Sequence, residues 1–188
     1  MLAEELYELV IKTNRLKAEG QTLEVKAANR GCPTRLYDTL SSFSNQDSGG
    51  VILFGIDEKS GFQIVGVYDA QDLQKHVSEQ CLQMKPKVQA LFTMADVDGC
   101  VVVSAEIPGM DVSERPCFYE GKGRLRGSYK RVGDMDEPMT GYEIYSFEAF
   151  RRKYQDDIRT IDGCGFDTLD PSDLANYLLR LKANKPHL

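Results

Sequence analysis

The sequence predicts an α+β fold with a mixed, largely antiparallel sheet flanked by helices, and three observations carry that expectation. Apolar residues recur at helical spacing in several separated segments, two stretches read as β-hairpins around turn-forming residues, and one run is apolar enough to be a strand buried on both faces. At 188 residues the chain is long enough to bury the core of one ordinary domain, expected over 1–154, with a linker and exit helix over 155–188.

The elements follow in order. Leu6, Leu9, Val10 and Leu16 share one side of a first helix from Leu2 to Lys17, with glutamates early and basic residues late, as the helix dipole favours. Leu23 to Ala27 alternates apolar and charged residues, so Glu24 and Lys26 share one face of a strand. After Gly31-Cys32-Pro33, a second helix carries Leu36, Leu40 and Phe43 and stops in the turn-rich run from Asn45 to Gly50. Val51 to Ile56 is the central strand, and a turn over 58–61 returns it as Phe62 to Val67.

Asp69 is a suitable N-cap for a third helix bearing Leu73, Val77 and Cys81, which Pro86 ends. Val88 to Val97 and Cys100 to Ile107 flank Asp98-Gly99, a dipeptide suited to a tight turn at positive φ. Arg115 to Tyr119 and Arg124 to Val132 read as further strands, Tyr142 to Tyr154 as a helix, and Pro171 to Leu181 as a short amphipathic exit helix. With the basic tail Lys182 to Lys185, that helix predicts a following region in a longer protein.

Composition removes several functional classes. No apolar run approaches the roughly 18 residues of a membrane span, and Met1 to Glu8 has the wrong chemistry for a signal peptide, so the cytoplasm is the expected location. Five dispersed cysteines without a C-x-x-C pair suggest reduced, mostly buried thiols rather than disulfides or zinc. Only two histidines exist, so any chemistry rests on carboxylates and basic groups; His76 reads as a core-edge residue. A net charge of −6 argues against bulk attraction to nucleic acid and demands a local basic surface.

Such a surface is present. Lys122, Arg124, Arg126, Lys130 and Arg131 surround Tyr129 without an intervening acid, and on a strand Arg124, Arg126 and Lys130 would form a ribbon of phosphate donors. The plainer alternative is an edge strand protected by charge. Arg151-Arg152-Lys153 is a second cluster, at a helix end where cations are favourable anyway.

Four blocks, in order, carry a resemblance: Glu19-Gly20-Gln21-Thr22-Leu23-Glu24-Val25-Lys26; Ser41 to Asn45 with Gly49-Gly50; Val51 to Val67; and Pro116 to Tyr119 with Tyr129 to Asp134. Together they cover roughly seven-tenths of the chain, from Glu19 to about Phe150, which resembles the Schlafen/AlbA-like DNA-binding domain. Val25 stands where the family's E-F-K strand carries an aromatic, and Gln46-Asp47-Ser48 lengthens the turn before the double glycine.

The resemblance implies the front module of a transcriptional regulator, with DNA or RNA as partner and an ATPase-like or winged-helix region behind it. In some animal relatives the core is a metal-dependent endoribonuclease with three carboxylates, matched here by Glu19, Glu24 and Asp57, with Mg or Mn as the cofactor; Lys26 would stabilise charge on the phosphate. The bland reading of the three carboxylates, as a helix-end charge, a strand position and a turn residue, stays open. Some members are described as ATP-binding, but no G-x-x-x-x-G-K-[ST] loop exists here and the double glycine precedes a strand, so a backbone turn accounts for it. The function expected first is nucleic-acid binding without chemistry, then endoribonuclease activity, then an oligomerisation or protein-interaction role.

Overall fold

A computed structural model of the chain describes residues 1–151, 163, 165 and 169–184. Backbone contacts divide the chain into two units, Met1–Lys153 and Tyr154–Leu188. In the described part of the second unit, one helix spans Pro171–Asn184.

The first unit begins with helix α1 (Ala3–Leu16), followed by strand β1 (Leu23–Lys26), α2 (Tyr37–Ser44) and β2 (Gly50–Phe54). Two short strands, β3 (Ile56–Asp57) and β4 (Gln63–Ile64), lead to α3 (Ala70–Leu82), β5 (Met84–Lys85), β6 (Leu91–Val97) and β7 (Cys100–Ile107). Then come β8 (Phe118–Tyr119), the one-turn helix α4 (Arg124–Gly127), β9 (Tyr129–Val132), β10 (Met135–Pro138) and α5 (Gly141–Arg151). The principal sheet has the order β1-β2-β7-β6; β1 runs parallel to β2 and the other pairings are antiparallel. The fold is therefore α+β with a mixed, mostly antiparallel sheet, as its sequence predicts.

Alternation along the strands divides the core. Leu53 and Val102 face α1, where they pack with Leu6, Val10 and Val25; their neighbours Ile52 and Val103 face the other side and pack with Leu40, Phe43, Leu73 and Val77 of α2 and α3. The Asp69 carboxylate caps α3, accepting from the backbone N–H groups of Gln71 and Asp72 at 2.9 and 2.8 Å. Asp98 and Gly99 have φ of 53° and 82°, the positive values of the anticipated tight turn between β6 and β7.

Two expectations are corrected. The hairpin after Val51 is short and displaced: Gly55, at φ 103°, ends β2, and only Ile56–Asp57 pairs with Gln63–Ile64, leaving β2 between β1 and β7. A Cβ at Gly55 would lie 3.1 Å from the Gly66 backbone, so the break is built on a close approach of two backbone segments. Arg124 to Gly127 is helical rather than extended, and the strand starts only at Tyr129. Gly127 packs against the Tyr119 carbonyl, where a Cβ would approach to 2.6 Å. The anticipated helix from Tyr142 is present as α5, and its expected extension over 152–154, with Arg152 and Lys153, lies outside the described residues, as do Cys164, Lys185 and His187.

Candidate nucleic-acid interface and carboxylate face

The basic segment separates into two environments. Arg124 and Arg126 project from α4, half-buried and exposed respectively, and Lys130 points outward from β9. Arg124 is ion-paired with Glu148 of α5, and Lys130 Nζ lies 2.6 Å from Glu143 Oε1 at the start of the same helix. Lys122 Nζ donates to the Tyr129 hydroxyl at 3.0 Å and to Asp38 Oδ1 at 3.3 Å. Arg126 has no acidic partner among the described residues. Tyr142 and Tyr145 of α5 are exposed, and a groove of about 550 Å³ runs between Lys85, Arg124, Leu125, Ile144 and Tyr145.

Arg131 is different: its side chain is 1% exposed. The alternation of β9 turns Tyr129 and Arg131 inward and Lys130 outward. The Arg131 guanidinium lies 2.9 Å from Asp136 Oδ1 and 2.8 Å from Glu24 Oε2, donates to the Leu23 carbonyl at 3.0 Å, and stacks 5.1 Å from the Phe43 ring centroid. Asp136 also accepts from Thr39 at 2.7 Å and Ser42 at 2.6 Å. A buried network thus ties β1, α2, β9 and β10 together. The Glu24 contact is one of charge rather than aligned hydrogen bonding, since Glu24 Oε2 and Arg131 Nε are both left without a hydrogen-bond partner. As placed, Arg131 holds the basic face from behind.

Of the three matched carboxylates, Glu19 and Glu24 are close enough to interact and Asp57 has a separate task. Glu19 Oε1 accepts from the Val25 N–H at 2.6 Å, and burial, reinforced by the nearby Glu24 and Glu58 carboxylates, pushes its pKa up to about 7. Glu24 is 9% exposed and is gripped by Lys26 on one oxygen and Arg131 on the other. Asp57 caps a 3₁₀ turn, accepting from the Lys59 N–H and from the Ser60 hydroxyl at 2.6 Å, which lowers its pKa.

A shared divalent ion needs hard oxygen ligands that converge. Among the described residues no group of three or more His, Cys, Asp or Glu side chains is placed to hold one. The donor set does not fit a metal in this arrangement: Glu24 is already neutralised by two cations, and Asp57 is committed to its own turn.

Other titratable groups are occupied structurally. The four described cysteines, Cys32, Cys81, Cys100 and Cys117, are free, and burial pushes the Cys117 thiol up to about 12. His76 is exposed on α3, with Nδ1 2.9 Å from the Asp72 carbonyl, rather than at the core edge. No described helix is long and apolar enough to cross a membrane.

Reasoning from the sequence missed one buried constellation, that of Ser41 and Asn45. Ser41 lies on the inner side of α2 and Asn45 caps its C-terminus, and both bind the backbones of Cys117 and Tyr129. The signal available was a run of small polar residues, Ser41, Ser42, Ser44 and Asn45, around Phe43; all are buried, and polar groups so buried need partners.

No curated protein matches the chain. Among solved structures it is similar to the N-terminal domain of a "Putative ATP-dependent DNA Helicase RecG-related Protein" from Nitrosomonas europaea, at 22% identity and a TM-score of 0.55, covering 71% of this chain and 92% of that one. It is also similar to the DIP2311 protein from Corynebacterium diphtheriae, at 17% identity and a TM-score of 0.49, covering 92% of this chain but 37% of that one. The first likeness supports the fold. The sequence model of the Schlafen, AlbA_2 family matches residues 19–140, about two-thirds of the chain, and the protein therefore belongs to the Schlafen, AlbA_2 family.

Proposed function

We propose that the chain is a nucleic-acid-binding module, working within a transcriptional regulator, whose contact face is formed by α4, β9 and the exposed side of α5. The observation that carries this reading is the pairing of Arg124 and Lys130 to α5, whose exposed Tyr145 shares a groove with Arg124 and whose Tyr142 is also exposed, with Arg126 exposed on α4. Cations position a phosphate backbone, and planar rings offer stacking surfaces to unpaired bases. The ion pairs of Arg124 and Lys130 are half-exposed, and such pairs contribute only about 0–1 kcal/mol, so phosphates can replace Glu148 and Glu143 at small cost. Family membership and the likeness to a domain of a helicase-related protein support a nucleic-acid partner.

Binding without turnover is favoured over endoribonuclease action because Glu19, Glu24 and Asp57 do not form a ligand set. The test is fluorescence anisotropy with labelled single- and double-stranded DNA and RNA at several salt concentrations. Replacing Arg124, Arg126 and Lys130 together by Gln should weaken binding irrespective of sequence and flatten the salt dependence by about 0.7–0.9 per lost phosphate contact. Unchanged affinity and slope would place the interface elsewhere.

A further inference from the structure

The outer edge of β6 has features of a strand-docking site. β6 is terminal in the sheet, and its seven residues contain no Lys, Arg or Pro and a single acid, Asp96. Exposed edges are usually blunted by such residues, by bulges or by covering elements, because unpaired backbone groups template the addition of another strand. Here the register to β7 is regular from Leu91↔Glu106 to Val97↔Cys100.

The hairpin geometry decides which groups are free. Asp98 and Gly99 form a two-residue turn with both φ positive, which makes Val97 and Cys100 a hydrogen-bonded pair. Alternate residues back along the strand therefore bond to β7, and the backbone N–H and C=O groups of Phe92, Met94 and Asp96 face outward. Among the described residues, no backbone bond from another element reaches them.

A groove of about 460 Å³ follows this edge between β6 and α1, bordered by Glu4, Tyr7 and Glu8 on the helix and by Met94 and Asp96 on the strand. Tyr7 and Met94 are 41% and 49% exposed, and neither Glu4 nor Glu8 has a basic partner among the described residues. The groove thus combines the Tyr7 ring, the Glu4 and Glu8 carboxylates and a free strand edge. The side chains of Met94 and Asp96 lie on the opposite sheet face, where Met94 Sδ accepts from Gln74 Nε2 at 3.2 Å and Asp96 accepts from the Gly99 N–H at 2.9 Å.

We propose that the β6 edge binds an extended, cationic segment of a partner protein, in which basic and apolar residues alternate, as a fifth strand of the sheet. Main-chain hydrogen bonds to Phe92, Met94 and Asp96 supply the pairing. The period of two places basic side chains of one face against Glu4 and Glu8, and apolar side chains of the other against Met94. The same charges disfavour a second copy of this chain, since self-pairing of the edges would bring like-charged α1 helices together.

The full chain is titrated with a labelled peptide of alternating lysine and valine. Two control peptides replace lysine by glutamate or carry backbone N-methyl groups on alternate residues. The lysine peptide should bind and protect the amides of Phe92, Met94 and Asp96 from hydrogen exchange, and neither control should do so. Glu4→Gln combined with Glu8→Gln should weaken binding about tenfold, and circular dichroism checks that this variant remains folded. Equal binding of the N-methylated peptide, which keeps the charge and loses the donors, would overturn strand addition whatever the variant does. Protection at other residues, or sedimentation showing a dimer that excludes the peptide, would overturn the site or its occupant.

Discussion

The side chain of Asn45 pairs with Cys117 as a neighbouring strand would: its Oδ1 accepts from the Cys117 N–H at 2.7 Å, and its Nδ2 donates to the Cys117 carbonyl at 2.9 Å. The same amide donates to the Tyr129 carbonyl at 3.0 Å. Asn45→Ala removes the side-chain partner of the buried Cys117 N–H and Tyr129 carbonyl, while the Cys117 carbonyl keeps the Ser41 hydroxyl at 2.7 Å, and the loss should be on the order of 3 kcal/mol. Urea denaturation measures it; a change below about 0.5 kcal/mol, the scatter of ordinary surface substitutions, would mean that water or relaxation replaces the amide.

Arg131 is a hub rather than a ligand. Arg131→Met leaves Glu24 with Lys26 alone and Asp136 with the Thr39 and Ser42 hydroxyls but no counter-charge, and should cost about 3–5 kcal/mol. Adding Glu24→Gln and Asp136→Asn should recover part of that loss, since the neutral side chains no longer carry buried charge. Equilibrium unfolding of the single and triple variants checks this, and a triple variant less stable than Arg131→Met would refute the charge argument.

Glu143 couples stability to the proposed binding face in opposite directions. It accepts from the Thr140 N–H at 2.8 Å, and the Thr140 hydroxyl accepts from the Glu143 N–H at 3.2 Å, a reciprocal capping box for α5. Glu143→Ala should destabilise by about 1 kcal/mol yet strengthen nucleic-acid binding, because it frees Lys130. A thermal melt and an anisotropy titration on one preparation separate the two effects, and weaker binding would contradict the proposed role of Lys130.

The Lys130 hydrogen bond holds the Glu143 carboxyl down to about 2, below its ordinary 4.5. Its contribution is therefore present above pH 4.5 and lost as pH falls through about 2. Glu19 has the opposite sign, raised from 4.5 to about 7: the folded state favours its protonated form, so this stabilising contribution is complete below pH 4.5 and lost as pH rises through about 7. Glu19→Gln should remove that decline between pH 4.5 and 7 in urea midpoints, and an unchanged profile would assign it to another group.

Because the matched carboxylates do not converge, Mn²⁺ should leave the melting temperature unchanged and no structured RNA should be cut. A ligand at one hundred times its Kd adds about 2.7 kcal/mol, so a genuine site would be visible. Stabilisation that disappears in Glu24→Gln would establish metal binding, and metal-dependent cutting abolished by Asp57→Asn would establish the nuclease reading.

The sequence by itself determined the features that depend on near neighbours: the apolar periods of α1 and α3, the Asp69 cap, the Asp98-Gly99 turn and the alternation that places Glu24 and Lys26 on one strand face. Period and turn chemistry are local, so a short window contains the forces that decide them. Only the tertiary structure decided the fate of the basic segment. Arg124 and Arg126 entered a helical turn where Gly127 meets Tyr119, and Arg131 was buried by partners that include the Leu23 carbonyl, 108 residues away. Lys130 and Arg131 are adjacent cations with the same local prospects; Lys130 stays half-exposed against Glu143 of α5, and Arg131 is buried against Glu24 and Asp136 because β1 and β10 supply two carboxylates on the inner side of β9. The same holds for the carboxylates: residue types show which side chains are able to bind a metal, whereas convergence depends on where the chain brings Asp57 relative to Glu24, and here that aspartate is held by its own turn.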